Sequence, residues 1–206
     1  MQLFYAPGAC SLAVHIALRE AGLAFDLSKV DLVRHLLSDR SPLMDVNPKN
    51  YVPVLVNDAG DTLTEVAAIL QWVAEQAPEA ELLPHAGTLE LQRGREWLNF
   101  IATELHKGFS PWLWHKETEP ATREQVLQKL HGRLALVERH LDGRDFVLDR
   151  FSVVDAYLFT ILNWADILRL DISAHPAIRA YLGRVGARPA VRAALVAEGL
   201  LKAEAA

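Results

Sequence analysis

The sequence predicts an α+β domain over residues 1–80 followed by an all-helical domain over residues 88–206. Three observations predict it. Element types alternate in the first third of the chain. The stretch APEAELLPHAGTLE puts two prolines and a glycine between periodic segments, which marks a linker. Beyond it apolar residues recur at helical spacing, as at Leu98, Ala102, Leu105 and Phe109 and again at Val126, Leu130, Leu134 and Val137.

The elements follow in order. QLFYA reads as a short strand. SLAVHIALREAG reads as a helix, with Ser11 placed to cap its start and Gly22 to end it. FDLSKVDL alternates apolar and polar residues, as a half-buried strand does. HLLSDRSPLMDVNP reads as a short helix followed by a loop. VPVLV and DTLTE flank the turn signal NDAG and form a hairpin. EVAAILQWVAEQ is then a helix. In the second domain, FSVVDAYLFTILNWADILRL opens with Ser152 and Asp155, spaced as a capping box with Asp in the acidic position. SAHPAIRAYLGRVGARPAVRAALVAEG contains two more helices, each with a proline near its start.

Composition narrows the function. The 206 residues are 51% hydrophobic and 23% charged, a globular balance, and the formal net charge of −5 gives no general attraction for nucleic acid or an anionic membrane. An anionic ligand therefore needs a locally built site. The single cysteine excludes an internal disulfide and suits a reducing compartment. MQLFYAPG lacks the basic and apolar regions of a signal peptide, and no apolar run approaches the ~20 residues that span a bilayer. A cytoplasmic protein is expected.

The lone thiol, Cys10, sits just after a Pro-Gly turn and just before a helix. Unpaired N–H groups and the partial positive charge of a helix start favour a thiolate there, either the cysteine's own or a ligand's. A small buried hydrophobe is the competing reading. Val52-Pro53 stands at the entry to a strand. Proline donates nothing to a ladder, so the site fits a cis peptide that exposes the backbone of Val52, or an edge strand in trans. Asn99, Thr103, His106 and Ser110 fall at i, i+4, i+7 and i+11, one polar stripe, which a solvated helix face would also show.

The combination of FYAPGACSLA, VNPKNYVPVL, LTEVAAILQW, EWLNFIATELHKGF, FSVVDAYLF and RPAV, spread over nearly the whole chain, resembles the bacterial beta-class glutathione S-transferase family. The resemblance implies a thioredoxin-like N-terminal domain that binds glutathione and a helical domain that shapes a pocket for a hydrophobic electrophile. It implies a homodimer and no metal. It matches Cys10 and His106 to the pair at the glutathione sulfur. Val52 matches the residue whose backbone meets the cysteinyl part, Pro53 the cis-proline, and Glu65 with Val66 the binders of the γ-glutamyl end. Asn99, Thr103 and Glu104 match helix positions lining the site, partly from the partner subunit. Phe109, Tyr157 and Trp164 match the second-substrate pocket.

Four positions depart from the family's pattern. Asn50 and Tyr51 replace the Gly and Gln of NPKGQVP, and Asn tolerates the left-handed backbone that Gly would supply. His35 stands where a lysine often helps hold the glycyl carboxylate. Val66 stands where a small residue or serine is common. The function expected is conjugation of glutathione thiolate to electrophilic small molecules, with glutathione as co-substrate. The alternatives are glutathione-dependent thiol-disulfide exchange or reduction through Cys10, and a non-catalytic binding protein that kept the fold.

Overall fold

Five strands, β1 (Gln2–Tyr5), β2 (Asp26–Asp31), β3 (Leu36–Leu37), β4 (Val54–Val56) and β5 (Thr62–Thr64), form one sheet in the order β3-β2-β1-β4-β5. β1 and β2 run parallel, and every other pair is antiparallel. The computed structural model describes residues 1–202. Backbone contacts divide the chain into two units: Met1–Leu83 with the segment from Ala187 onward, and Pro84–Gly186.

In the first unit a parallel β1–β2 pair requires a crossover, and α1 (Ser11–Glu20) supplies it. Residues Ser11 to Leu18 of α1 are all buried, as expected of a helix that is core on every side. It packs against β1, against α2 (Val66–Gln76) and against the last helix, α9 (Pro189–Ala197). On the sheet, Phe4, Val30 and Val54 join Leu43 and Val52 in one apolar cluster. Leu3 and its cross-strand partner Leu55 point to the opposite face by strand alternation. The guanidinium of Arg188 donates to both oxygens of Glu20, at 2.7 and 2.8 Å, and so ties the start of α9 to the end of α1.

Two local expectations are corrected. Residues after His35 form no α-helix. Leu36–Leu37 pair antiparallel with β2, and a 3-10 turn follows at Leu43–Asp45. The Asp39 carboxylate accepts from the amide and hydroxyl of Ser41, Arg40 sits at φ 71°, and Pro42 follows, so local side-chain bonding bends the chain before a helical turn can close. Ser11 does not cap α1. Cys10 occupies the cap position, and the Ser11 hydroxyl binds Ala6, accepting from its N–H and donating to its carbonyl. Gly22 does end the helix, at φ 66°, with the bonds Gly22 N–H to Arg19 and Leu23 N–H to Leu18.

The second unit is helical: α3 (Leu89–Phe100), a π-helical turn (Ile101–His106), α4 (Lys107–Phe109), α5 (Pro120–Leu141), α6 (Val153–Leu162), α7 (Trp164–Ile167) and α8 (Pro176–Gly186). Every residue of α6 is buried, and it packs against α3, α8 and the π turn. The carboxylate of Glu138 on α5 accepts from the N–H groups of Ala177 and Ile178, which satisfies the first turn of α8. The capping box of Ser152 and Asp155 forms as the sequence spacing predicts. Asp155, fully buried, also accepts from the Val147 N–H at 2.9 Å and the Tyr181 hydroxyl at 3.1 Å.

Burial is the largest influence on that carboxyl and lifts it from 3.8 to about 6, against the four hydrogen bonds that pull it down. Between these two values the folded chain keeps a proton that the unfolded chain releases. Stability from this group therefore rises as pH falls and is lost as pH rises through about 6. Asn at this position does not titrate. The margin by which the wild type exceeds Asp155→Asn in urea unfolding should be larger at pH 4 than at pH 7, by about 2–3 kcal/mol. A margin that is flat with pH would show that the hydrogen bonds balance burial, and one larger at pH 7 that they outweigh it.

Candidate active site

The loop Ala6–Cys10 is held before the thiol is placed. Ser11 binds Ala6, as above. The Gly8 N–H donates to Glu198 Oε2 at 2.9 Å, 190 residues away in sequence. Glu198 Oε1 lies 2.9 Å from Nδ1 of His15, and Arg19 Nε donates to Nε2 of the same ring at 2.9 Å. Nε2 must then be the unprotonated nitrogen, so Nδ1–H is the donor to Glu198. His15 is wholly buried, with the rings of Tyr5 and Phe25 edge-on to it. Burial first, and the Glu198 charge second, raise the Tyr5 hydroxyl above its ordinary range.

This loop delivers Cys10 to the N-terminal end of α1, where its Sγ donates to the Val52 carbonyl at 3.4 Å. A carbonyl accepts only from protonated sulfur, so the contact belongs to the thiol form. Val52-Pro53 is a cis peptide, and Val52 is buried. Asn50 takes the left-handed backbone expected of it, at φ 59°, and its carbonyl accepts from Nδ1 of His35 at 3.1 Å. His35 itself is exposed, at φ 55°.

Glu65 caps α2 at φ 70°. A non-glycine residue held there costs about 1–3 kcal/mol and persists only where its surroundings fix it. Here they do: Lys49 Nζ donates to Glu65 Oε1 at 2.6 Å, and the Tyr51 hydroxyl donates to the same oxygen at 2.5 Å. The Glu65 carboxylate raises both the Lys49 ammonium and the Tyr51 hydroxyl above their ordinary values. Val66, the first residue of α2, is buried.

In the second unit the π turn changes the stripe read from the sequence. Its hydrogen bonds run i→i+5 rather than i→i+4, so residues on either side of it do not continue one face. Asn99 and Thr103 are exposed, and the Thr103 hydroxyl donates back to the Asn99 carbonyl. Glu104 pairs with Arg133 at 2.7 Å and Lys129 at 3.3 Å, both on α5, and Arg133 foremost lowers its carboxyl. Ser110 lies past the end of α4 in extended conformation, and Ser110-Pro111 is a second cis peptide that the sequence reading did not anticipate.

His106 meets α6 instead. Its Nδ1 is 2.8 Å from the Tyr157 hydroxyl, and its ring stands edge-on to Trp164 at 5.0 Å. Phe109 and Trp114 also meet Trp164 edge-on, at 6.0 and 5.6 Å. The structure thus gathers His106, Phe109 and Trp114 around the indole of Trp164, and Tyr157 joins them through His106. Phe109 and Tyr157 are fully buried. Among the described residues no group of three or more His, Cys, Asp or Glu is placed to hold a metal ion, and no helix is long and apolar enough to cross a membrane.

A five-stranded sheet with a thiol at its first helix start and a cis-proline beside it, together with a helical unit, is the layout that the sequence resemblance implies. Residues 8–76 match the glutathione S-transferase N-terminal domain and residues 100–189 the C-terminal domain. The chain is 43% identical over 201 residues to glutathione S-transferase GstA of Escherichia coli O157:H7, covering 97% of this chain and 100% of that one. It is 36% identical to glutathione S-transferase GST-4.5 of Xanthomonas campestris, covering 97% and 100%. Among solved structures it is similar to a ternary complex of BphK, a bacterial GST, at TM-score 0.95 and 47% identity, covering 97% and 100%. It is also similar to a beta-class glutathione S-transferase of Sphingomonas chungbukensis, at TM-score 0.93 and 43% identity, covering 98% and 100%. The chain belongs to the glutathione S-transferase family.

Glu198→Ala should destabilise the first unit by about 3 kcal/mol, because it leaves two buried donors, Gly8 N–H and His15 Nδ1–H, without their acceptor. Glu198→Gln, which keeps one acceptor oxygen, should cost less. Equilibrium denaturation of the three proteins checks the order; equal stability of the Ala variant and the wild type would show that the carboxylate does not hold the loop.

Proposed function

We propose that this chain is a glutathione transferase that joins the glutathione thiolate to electrophilic small molecules. The observation that carries the reading is Cys10 at the start of α1, donating to the carbonyl of Val52 beside a cis-proline. The Val52 backbone, Pro53, Glu65 and the N–H groups at Val66 offer an extended peptide one ladder partner and one charged anchor. His35 and the helix residues Asn99, Thr103 and Glu104 complete our assignment of the glutathione site. Residues 1–80 carry glutathione binding and residues 88–206 the second-substrate pocket, lined by Phe109, Tyr157 and Trp164.

A thiol is mostly protonated at neutral pH, so the enzyme must favour the thiolate of its ligand. Cys10, a donor in its thiol form, can donate to a glutathione thiolate by turning from the Val52 carbonyl. The proton that glutathione loses must leave the sulfur. His106, with Tyr157 on its Nδ1, is the second residue we assign to that end. An aromatic surround of His106 and Trp164 suits an apolar electrophile such as an aryl halide. Cytoplasmic location and assembly as a homodimer complete the reading.

Retention on immobilised glutathione and turnover of an aryl halide with glutathione are expected of the wild type. His106→Ala should lower turnover at least about tenfold while the melting temperature moves little. A histidine that only packs would give the reverse, a lower melting temperature and normal turnover per folded molecule. Activity toward a mixed disulfide but not the aryl halide, lost in Cys10→Ser, would replace conjugation with thiol-disulfide exchange. Light scattering at the size of a single chain would remove the dimer.

A further inference from the structure

Tyr51 stands at a position where the family's pattern has glutamine, and its hydroxyl is spent on Glu65. Lys49 donates to the same oxygen and also to the Thr64 hydroxyl at 3.0 Å. The segment that bears both is itself staked. Asn47, 1% exposed, donates from Nδ2 to the Tyr51 carbonyl at 2.8 Å and accepts from the Lys49 N–H at 3.1 Å. Two residues further on, the same segment becomes Val52-Pro53, where the Cys10 thiol is received.

We propose that Tyr51 and Lys49 are substrate-positioning residues that, with Glu65, read the zwitterionic amino-acid head of the γ-glutamyl group of glutathione. The proposal deepens the reading above and rests on its placement of that group at Glu65. The head carries an ammonium and a carboxylate on one carbon. The cluster offers the converse, a carboxylate and an ammonium 2.6 Å apart. A half-exposed glutamate would otherwise choose among rotamers, and ordering it would be charged to each binding event. Two donors on one oxygen order it beforehand.

The test uses Tyr51→Phe in the full chain, which removes only the hydroxyl from a ring that is 40% exposed. Calorimetric titration compares glutathione with glutaryl-Cys-Gly, which keeps the α-carboxylate and lacks the ammonium. Tyr51→Phe should weaken glutathione about three- to tenfold, less than the full worth of a charge-assisted hydrogen bond because the hydroxyl acts on the ligand through Glu65, and leave glutaryl-Cys-Gly within twofold. With an aryl halide, KM for glutathione should rise by the same factor while kcat stays within about twofold. An unchanged glutathione affinity, or equal losses for both ligands, would overturn the proposal and leave the transferase reading standing. A wild type that binds glutathione no better than glutaryl-Cys-Gly would overturn the placement at Glu65 and the proposal together. A wild type that binds neither would overturn the transferase reading itself.

Discussion

The geometry of the thiol depends on one buried carboxylate. Glu198 reaches back from the residue after α9 to accept the Gly8 N–H, and His15 with Arg19 holds that carboxylate from the other side. A loop rich in Pro, Gly and Ala has no side chains with which to fix its own path. Its amides must find acceptors when buried, and an unmet one costs about as much as a lost hydrogen bond. Ser11 supplies the acceptor at Ala6 and Glu198 the acceptor at Gly8. Only then does Cys10 arrive at a defined point on α1, within reach of Val52.

That dependence explains which parts of the site were legible in the sequence. Cys10 at a helix start and the Ser152–Asp155 capping box are local patterns, set by residues one to three apart, and each is found as expected, whereas Val52-Pro53, which the local residues left open between cis and trans, is cis as the family resemblance implied. Glu198 left no such trace. Its partners lie 183 and 190 residues away, and nothing in the sequence near it distinguishes it from a solvated glutamate at a helix end. The contacts of α9 with α1 are of the same kind, since both helices carry ordinary apolar faces. The segment after His35 misled for a different reason. Leu36 and Leu37 suit a helix as well as a strand, and the Asp39–Ser41 turn that decides between them is a side-chain effect.

The π turn at Ile101–His106 shows where periodic reasoning reaches its limit. An α-helical wheel places Asn99, Thr103 and His106 on one face, yet one wider turn separates the exposed Thr103 from a His106 that faces Tyr157 and Trp164. No residue type signals a π turn. His106 lies one residue after the fully buried Leu105 and three before the fully buried Phe109, on the edge of the apolar face, so its approach to Tyr157 and Trp164 owes nothing to the stripe. The family resemblance assigns His106 by position and needs no such geometry.

Lys49, Tyr51 and Glu65 bring these strands together. Tyr51 stands where the family's pattern has glutamine, and it is one of two donors on a single carboxylate oxygen. A motif records which side chain usually stands at a position, whereas recognition depends on which atoms meet. A phenol carries its hydroxyl about two bonds beyond the reach of a glutamine amide, and from residue 51 it spans to Glu65 at the positive-φ cap of α2. Lys49 and Tyr51 hold the side chain of Glu65, whose backbone stands at φ 70°. The cap of α2 and the tyrosine are joined through the carboxylate that the ligand's ammonium is proposed to meet.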